Sequence, residues 1–274
     1  MTSNPGRLAI IGGGKIGEAL LSGLLRRSAG PDDILVVEHY PERIRYLSER
    51  YRIRVVEVAE AVRSCSTILI AVKPQDIDRL LHQLADLVTA EHLVVSVAAG
   101  ITTARIERGL PAGPAVVRCM PNTPALVDEA MTAISAGSRA SQEHLQRADE
   151  LLSAVGRVVR VPESQLDAVT ALSGSGPAYF FFLVEAMIDA GILLGLPRAL
   201  AAELIVQTLV GSAVMLRDSG EHPVQLREAV TSPAGTTISA IRELENHGVR
   251  AAFLAAIEAA RNRSAELGRA ADAE

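Results

Sequence analysis

The chain has 274 residues, 49% of them apolar and 22% charged, with a formal net charge of -5, a balance of folded globular proteins that excludes collagen-like and disordered chains. Two cysteines, Cys65 and Cys119, without a CxxC or Cys/His cluster exclude a disulfide scaffold and a structural zinc site and make a reducing cytoplasm the expected location. The acidic balance argues against nucleic acid as a partner, and the apolar run before the first glycines is too short for a signal peptide.

Short β-branched runs predict strands at 8–11, 34–37, 67–72, 92–97 and 116–118, alternating with amphipathic stretches. That rhythm is a series of βαβ units. Runs that are apolar throughout suit a parallel sheet covered by helices on both faces. Further strand signals at 131–135 and 157–161 flank a polar helix at 141–155 and extend the sheet at one edge.

After Pro162 the strand signals vanish. Helices are expected at 164–171, 177–195, 197–218, 223–230, 235–246 and 249–268, which places a domain boundary between 1–162 and 163–274. Ser164, Gln165, Leu166 and Asp167 spell a capping box, Pro177 and Pro197 sit at first-turn positions, and Gly220 ends the helix begun at Pro197. The segment 179–196 is about one bilayer long. Glu185 and Asp189 near its middle would each cost about 2.5–3.5 kcal/mol in a membrane, so it reads as a covered helix of a soluble protein. A helix apolar nearly all round needs partners that so short a domain does not supply, which predicts a homodimer.

After the first predicted strand comes Gly12-Gly-Gly14-Lys15-Ile16-Gly17, opening a helix, with Glu38 ending the second strand 21 positions after Gly17. This is the dinucleotide pattern in its proper context. Gly12 allows the tight turn, Gly14 lets the backbone approach a pyrophosphate, and Gly17 lets helix and strand pack closely, with helix amides facing the phosphates. The plainer alternative is a glycine turn in an unrelated α/β fold. Glu38 can accept both adenosine ribose hydroxyls and would repel a 2′-phosphate, favouring NADH over NADPH, although His39, Arg43 and Arg45 lie nearby; its plainer reading is a solvated strand-end carboxylate. The chain's two lysines, Lys15 and Lys73, both fall in loops after predicted strands, on the ligand edge of such a sheet.

Two further glycine turns precede helices: Leu172-Ser-Gly-Ser-Gly-Pro177 and Thr231-Ser-Pro-Ala-Gly-Thr-Thr-Ile238. Each presents free helix amides and hydroxyls, a seat for a small anion or an ordinary capped helix start. Taken with Ala71-Val-Lys-Pro-Gln75, Ser96-Val-Ala-Ala-Gly100, Arg118-Cys-Met-Pro-Asn-Thr-Pro124 and Asp167-Ala-Val-Thr170, the chain resembles the pyrroline-5-carboxylate reductases over essentially its whole length.

The resemblance implies a Rossmann-type doubly wound sheet followed by an all-helical dimerisation domain. It also implies NADPH- or NADH-dependent reduction of a cyclic imino acid, 1-pyrroline-5-carboxylate, to L-proline. It assigns cofactor contacts to Gly12, Gly14, Lys15, Ile16, Gly17, Ala71, Val72, Lys73, Pro74, Val97, Ala98, Ala99 and Asn122, the last near the nicotinamide, beside Glu38, which is read from its position at the end of the second strand and departs from the family's NADP-adapted pattern. Ser232, Thr236 and Thr237 would hold the substrate carboxylate, Thr170 the ring nitrogen, and Glu163 would lie by the amine. Thr170 either passes a proton or only positions the ring, and its plainer reading is a helix residue bonding its own backbone. Ala234 stands where the family often has glycine and fits if that residue needs no positive φ. Family members form a homodimer through the helical domain, and often a decamer of five dimers. The rival readings are another two-domain NAD(P)-dependent imine or hydroxyacid oxidoreductase, disfavoured because no lysine follows Lys73, and a non-catalytic nucleotide-binding regulatory oligomer. No metal or membrane partner is expected.

Overall fold

The structure is a computed structural model describing residues 6–27 and 29–273. Its chain forms two compact units, one running through Ser175 and resumed from Ala260, the other Gly176–Ala259.

The first unit contains strands β1 (Leu8–Ile11), β2 (Ile34–Val37), β3 (Arg54–Val55), β4 (Thr67–Ile70), β5 (Leu93–Ser96), β6 (Ala115–Met120), β7 (Ala130–Ala136) and β8 (Gly156–Arg160). They form one sheet in the order β3-β2-β1-β4-β5-β6-β7-β8. Strands β3 to β6 in that order pair in parallel, β6 pairs antiparallel with β7, and β7 pairs in parallel with β8. The interleaved helices are α1 (Lys15–Arg27), α2 (Pro41–Tyr51), α3 (Val58–Ser64), α4 (Ile77–Leu84), α5 (Thr103–Gly109), α6 (Gln142–Leu152) and the single turn α7 (Leu166–Val169).

Every residue of β1, β2, β4 and β5 is buried, because helices cover both faces. Ile10, Val36, Leu69 and Val95 meet α1, α2 and α6 on one side, while Ile11, Leu35, Ile70 and Val94 meet α3, α4 and α5 on the other. The chain order reverses between β1 and β4, leaving a crevice beyond their carboxyl ends.

The predicted strands form with ends shifted by up to two residues. The expected strand 67–72 stops at Ile70, where the chain turns along the crevice. The two-residue edge strand β3 escaped prediction because Arg54–Val55 is too short to show a period. The helix expected at 164–171 is a composite: a 3-10 turn Glu163–Gln165, then α7, then a π-helical turn Thr170–Gly174. Its expected capping box does not form, since Pro162 takes the N-cap position and has no side-chain donor or acceptor to offer. Pro197 likewise precedes its helix as N-cap instead of occupying the first turn.

The second unit consists of α8 (Gly176–Leu193), α9 (Arg198–Ser219), α10 (Pro223–Ala229), α11 (Thr236–Asn246) and the start of α12 (Val249–Ala273). Helices α8 and α9 lie against each other, Gly191 permitting the approach of Ala201, whose Cβ would stand 2.8 Å from a Cβ at position 191. Gly220 ends α9 in the left-handed region, as expected. The expected covering of 179–196 is absent within one chain: Phe180, Phe181, Phe182, Met187 and Leu193 are all exposed. Two helical stretches, Glu163–Leu193 and Arg198–Ser219, are long and apolar enough to cross a membrane by length and composition.

Candidate functional site

The crevice beyond β1 and β4 is a cleft of about 790 Å³. Gly12, Gly14, Glu38, Ala71, Val72 and Lys73 line it. The three motif glycines do different work. Gly12 has φ +108° and its amide donates to the Val37 carbonyl at 2.9 Å, so the chain turns sharply off β1 while still tied to β2. A Cβ at Gly17 would lie 2.0 Å from the Gly12 carbonyl oxygen, which makes this the close-packing glycine. A Cβ at Gly14 would meet nothing within 4 Å, so the loop presents open backbone to the cleft there. The observed cradle fits a dinucleotide pyrophosphate at the start of α1.

Glu38 is oriented by three backbone amides. Its Oε2 accepts from Gly13 N at 3.0 Å, and its Oε1 accepts from His39 N at 2.7 Å and Tyr40 N at 3.1 Å. The carboxylate is therefore a fixed negative charge at the end of β2, not a freely solvated one.

The other expected cofactor residues occupy varied settings. Lys15 opens α1 and is exposed, Ile16 packs against the core, and Pro74 begins a 3-10 turn. Val97 donates its amide to the Ile70 carbonyl at 3.0 Å, Ala98 is buried in the core, and Ala99 is exposed. Asn122 is a brace: its Nδ2 donates to Ser173 O at 3.2 Å and Ser173 Oγ at 3.3 Å, and its Oδ1 accepts from Met131 N at 3.0 Å.

Glu163 accepts from Thr103 N at 2.8 Å, Thr103 Oγ1 at 2.6 Å and Arg118 Nη1 at 3.1 Å. Arg118 is buried in β6, and its charge needs this partner. Thr170 starts the π-helical turn, and its hydroxyl donates to the Leu166 carbonyl at 2.8 Å. Such turns cost regular helical geometry and recur at functional sites.

In the second unit, the turn Ser232–Gly235 leads into α11. The Ser232 carbonyl accepts from Gly235 N at 3.1 Å, and Gly235 as N-cap offers no side chain to the first-turn amides. Thr236 and Thr237 begin this helix. Ala234 has φ +56°, so the condition for an unstrained alanine is not met: this position holds a left-handed backbone that glycine would adopt more easily.

Sequence reasoning passed over the cleft-lining residues Tyr46, Arg79, Leu80 and Gln83, and also Thr103 and Arg118. For Arg118 a signal existed. A charge inside the apolar run Ala-Val-Val-Arg-Cys-Met demands a buried partner. Among the described residues no group of three or more His, Cys, Asp or Glu side chains could hold a metal.

Comparison with known proteins matches residues 163–267 to the pyrroline-5-carboxylate reductase dimerisation family. Residues 7–100 match a family described as NADP oxidoreductase, coenzyme F420-dependent. A pyrroline-5-carboxylate reductase of Mycobacterium tuberculosis is 47% identical, with 95% of this chain and 96% of the relative covered. Among solved structures, a pyrroline-5-carboxylate reductase from Coxiella burnetii superposes with TM-score 0.91 at 35% identity, covering 96% of this chain and 99% of that one. A Plasmodium falciparum pyrroline carboxylate reductase with NADP bound gives TM-score 0.86 at 26% identity, covering 96% and 98%. The composite sheet, the glycine cradle and a helical region matched to a dimerisation family agree with full-length identity at this level: the chain belongs to the pyrroline-5-carboxylate reductase family.

Proposed function

We infer that the chain reduces 1-pyrroline-5-carboxylate to L-proline as an NAD(P)H-dependent oxidoreductase, the last step of proline biosynthesis. The observation that carries this is the glycine cradle in a chain whose full length aligns with reductases of that name. When bound, the nicotinamide supplies the hydride that adds to carbon 5 of the iminium. Gly12, Gly14, Lys15, Ile16 and Gly17 hold the phosphates, Ala71, Val72, Lys73 and Pro74 border them, and Val97, Ala98 and Ala99 support the nicotinamide ribose. Ala98 does so through its backbone, since its side chain is buried.

Ser232, Thr236 and Thr237 hold the substrate carboxylate with hydroxyls and the open amides of α11. Thr170 faces the ring nitrogen as an acceptor, because its own proton is given to Leu166. The substrate then binds already protonated and donates its N–H to Thr170, leaving the threonine no need to act as an acid. Glu163 has about four acceptor sites; those bonded to Thr103 and Arg118 orient it, and the remaining capacity faces the amine. Asn122 serves by holding the turn that carries Thr170 and Ser173.

The fixed carboxylate of Glu38 repels a 2′-phosphate, which supports NADH as the preferred cofactor. The exposed α8 of the second unit supports a homodimer in which a second copy covers that helix; a ring of five such dimers, as in many family members, and a cytoplasmic location are proposed with it. The test is oxidation of NADH and, separately, NADPH by purified protein given 1-pyrroline-5-carboxylate. Turnover with NADH that falls in Thr170→Ala and survives in Thr170→Ser supports the whole reading. No oxidation of either cofactor overturns it in favour of a regulatory nucleotide-binding oligomer.

A further inference from the structure

Arg43 lines the cleft close to Glu38, the end at which a 2′-phosphate would need a cation. An arginine so placed would ordinarily be counted in favour of a phosphorylated cofactor. Two of its five N–H donors are committed elsewhere. Nε donates to the Gly13 carbonyl at 2.6 Å and Nη2 to the Glu18 carboxylate. These two nitrogens form the side edge of the guanidinium, one of the two edges with which it can grip a phosphate through two parallel bonds.

Glu18 is well placed to keep that edge occupied. It stands in the first turn of α1, and its other oxygen accepts from Tyr46 Oη at 2.9 Å and Tyr51 Oη at 2.8 Å. Tyr46 also lies under the guanidinium, 5.0 Å from ring centroid to Cζ. The Glu18 side chain is 17% exposed and Arg43 28%, so water screens the pair weakly. Burial pushes the Glu18 carboxyl up, but the bonds from Arg43, Tyr51 and Tyr46 outweigh it and hold it below the usual carboxylate range. Arg79, which also lines the cleft, is paired with Asp76 at 2.9 Å, and both partners belong to the lining. Glu18 is not part of that lining, so it cancels the charge of Arg43 from behind the wall.

The geometry points to Glu18 as a specificity-determining residue that holds Arg43 away from the 2′ position and so enforces discrimination against NADPH. This inference rests on the cofactor reading above, in which Glu38 repels the phosphate. Glu18 acts through Arg43 and has no contact with the cofactor of its own.

Calorimetric titration of the intact protein with ADP-ribose and with 2′-phospho-ADP-ribose tests it without relying on turnover. The native protein is expected to bind ADP-ribose more tightly; equal affinities would overturn the Glu38 reading, whatever Glu18 does. Given native discrimination, Glu18→Gln should raise affinity for the 2′-phosphorylated compound about tenfold, with ADP-ribose affinity kept within about twofold, and adding Arg43→Ala should remove the gain. An unchanged ratio in Glu18→Gln sinks the inference while leaving Glu38 intact. Arg43→Ala alone decides the matter if Glu18→Gln does not fold. The ratio should hold, because Glu18 already neutralises Arg43 and occupies its side edge; selective loss of 2′-phospho-ADP-ribose binding means that Arg43 already serves it and overturns the proposal.

Discussion

Gly14 and Gly17 separate two consequences of one motif. A methyl at Gly17 collides with the Gly12 carbonyl, whereas a methyl at Gly14 enters open space at the cleft. Gly17→Ala should therefore lower the unfolding midpoint and abolish NADH binding, while Gly14→Ala should melt like the native protein and weaken NADH binding by about tenfold or more, each read by thermal melting and fluorescence titration. Ala234 gives the opposite case. Relief of a left-handed alanine is worth about 1 kcal/mol before the added freedom of the unfolded glycine is subtracted. Ala234→Gly is thus expected to raise the unfolding free energy by a few tenths of a kcal/mol in denaturant titration; a loss of stability would show that the turn is not strained. Burial raises the thiol of Cys65 to about 11 and that of Cys119 further. Both should resist thiol reagents in the native protein near neutral pH and react only on unfolding.

The joint between α1 and α2 is held by Glu18 with Arg43, Tyr46 and Tyr51. Because the Glu18 carboxyl is held below its ordinary range, its contribution to stability is complete above the unfolded carboxylate pKa and disappears as pH falls through the lowered folded one. Urea midpoints measured from about pH 7 down to about pH 3 should therefore fall less steeply in Glu18→Gln than in the native protein. At the other end of the sheet, Asn122 ties β7 to the π-helical turn. If its work is bracing, Asn122→Ala should lower kcat by about tenfold with NADH affinity unchanged, whereas loss of NADH affinity would support a nicotinamide contact.

For the whole molecule, the exposed phenylalanines of α8 imply that a single chain is not the working unit. Homo-oligomerisation follows from the dimerisation family matched over residues 163–267. Light scattering should give a mass of at least twice the 29.0 kDa of one chain. Phe181→Asp should shift it toward one chain and cost activity, whereas a native-like assembly in that variant would place the interface on another face. The apolar groove of about 360 Å³ between α11 and α12, lined by Ile241, Leu244, Phe253 and Leu254, is a second exposed apolar surface of the same unit.

Local chemistry determined much of this protein without any structure. Apolar β-branched runs separated by amphipathic stretches have one good burial solution, a covered parallel sheet, and β1 and β2 begin and end where the sequence pattern places them. The roles of Gly12 and Gly17 were legible for the same reason, since lack of a side chain is a property that needs no context. Partnerships were not legible. Glu38 was an open choice until three amides fixed it, Arg43 was a free cation until Glu18 and Gly13 were brought beside it, and the Arg118–Glu163 pair joins residues 45 positions apart. Hydrogen bonds over such separations depend on how the sheet stacks its crossovers, which periodicity does not encode. The composite turn at 163–174 was hidden too, because a π turn and an α turn share the same composition and differ only in what holds them, here the brace of Asn122 on Ser173. Sequence determined which surfaces had to be covered and where a dinucleotide could lie; tertiary structure decided which charges were left to meet it.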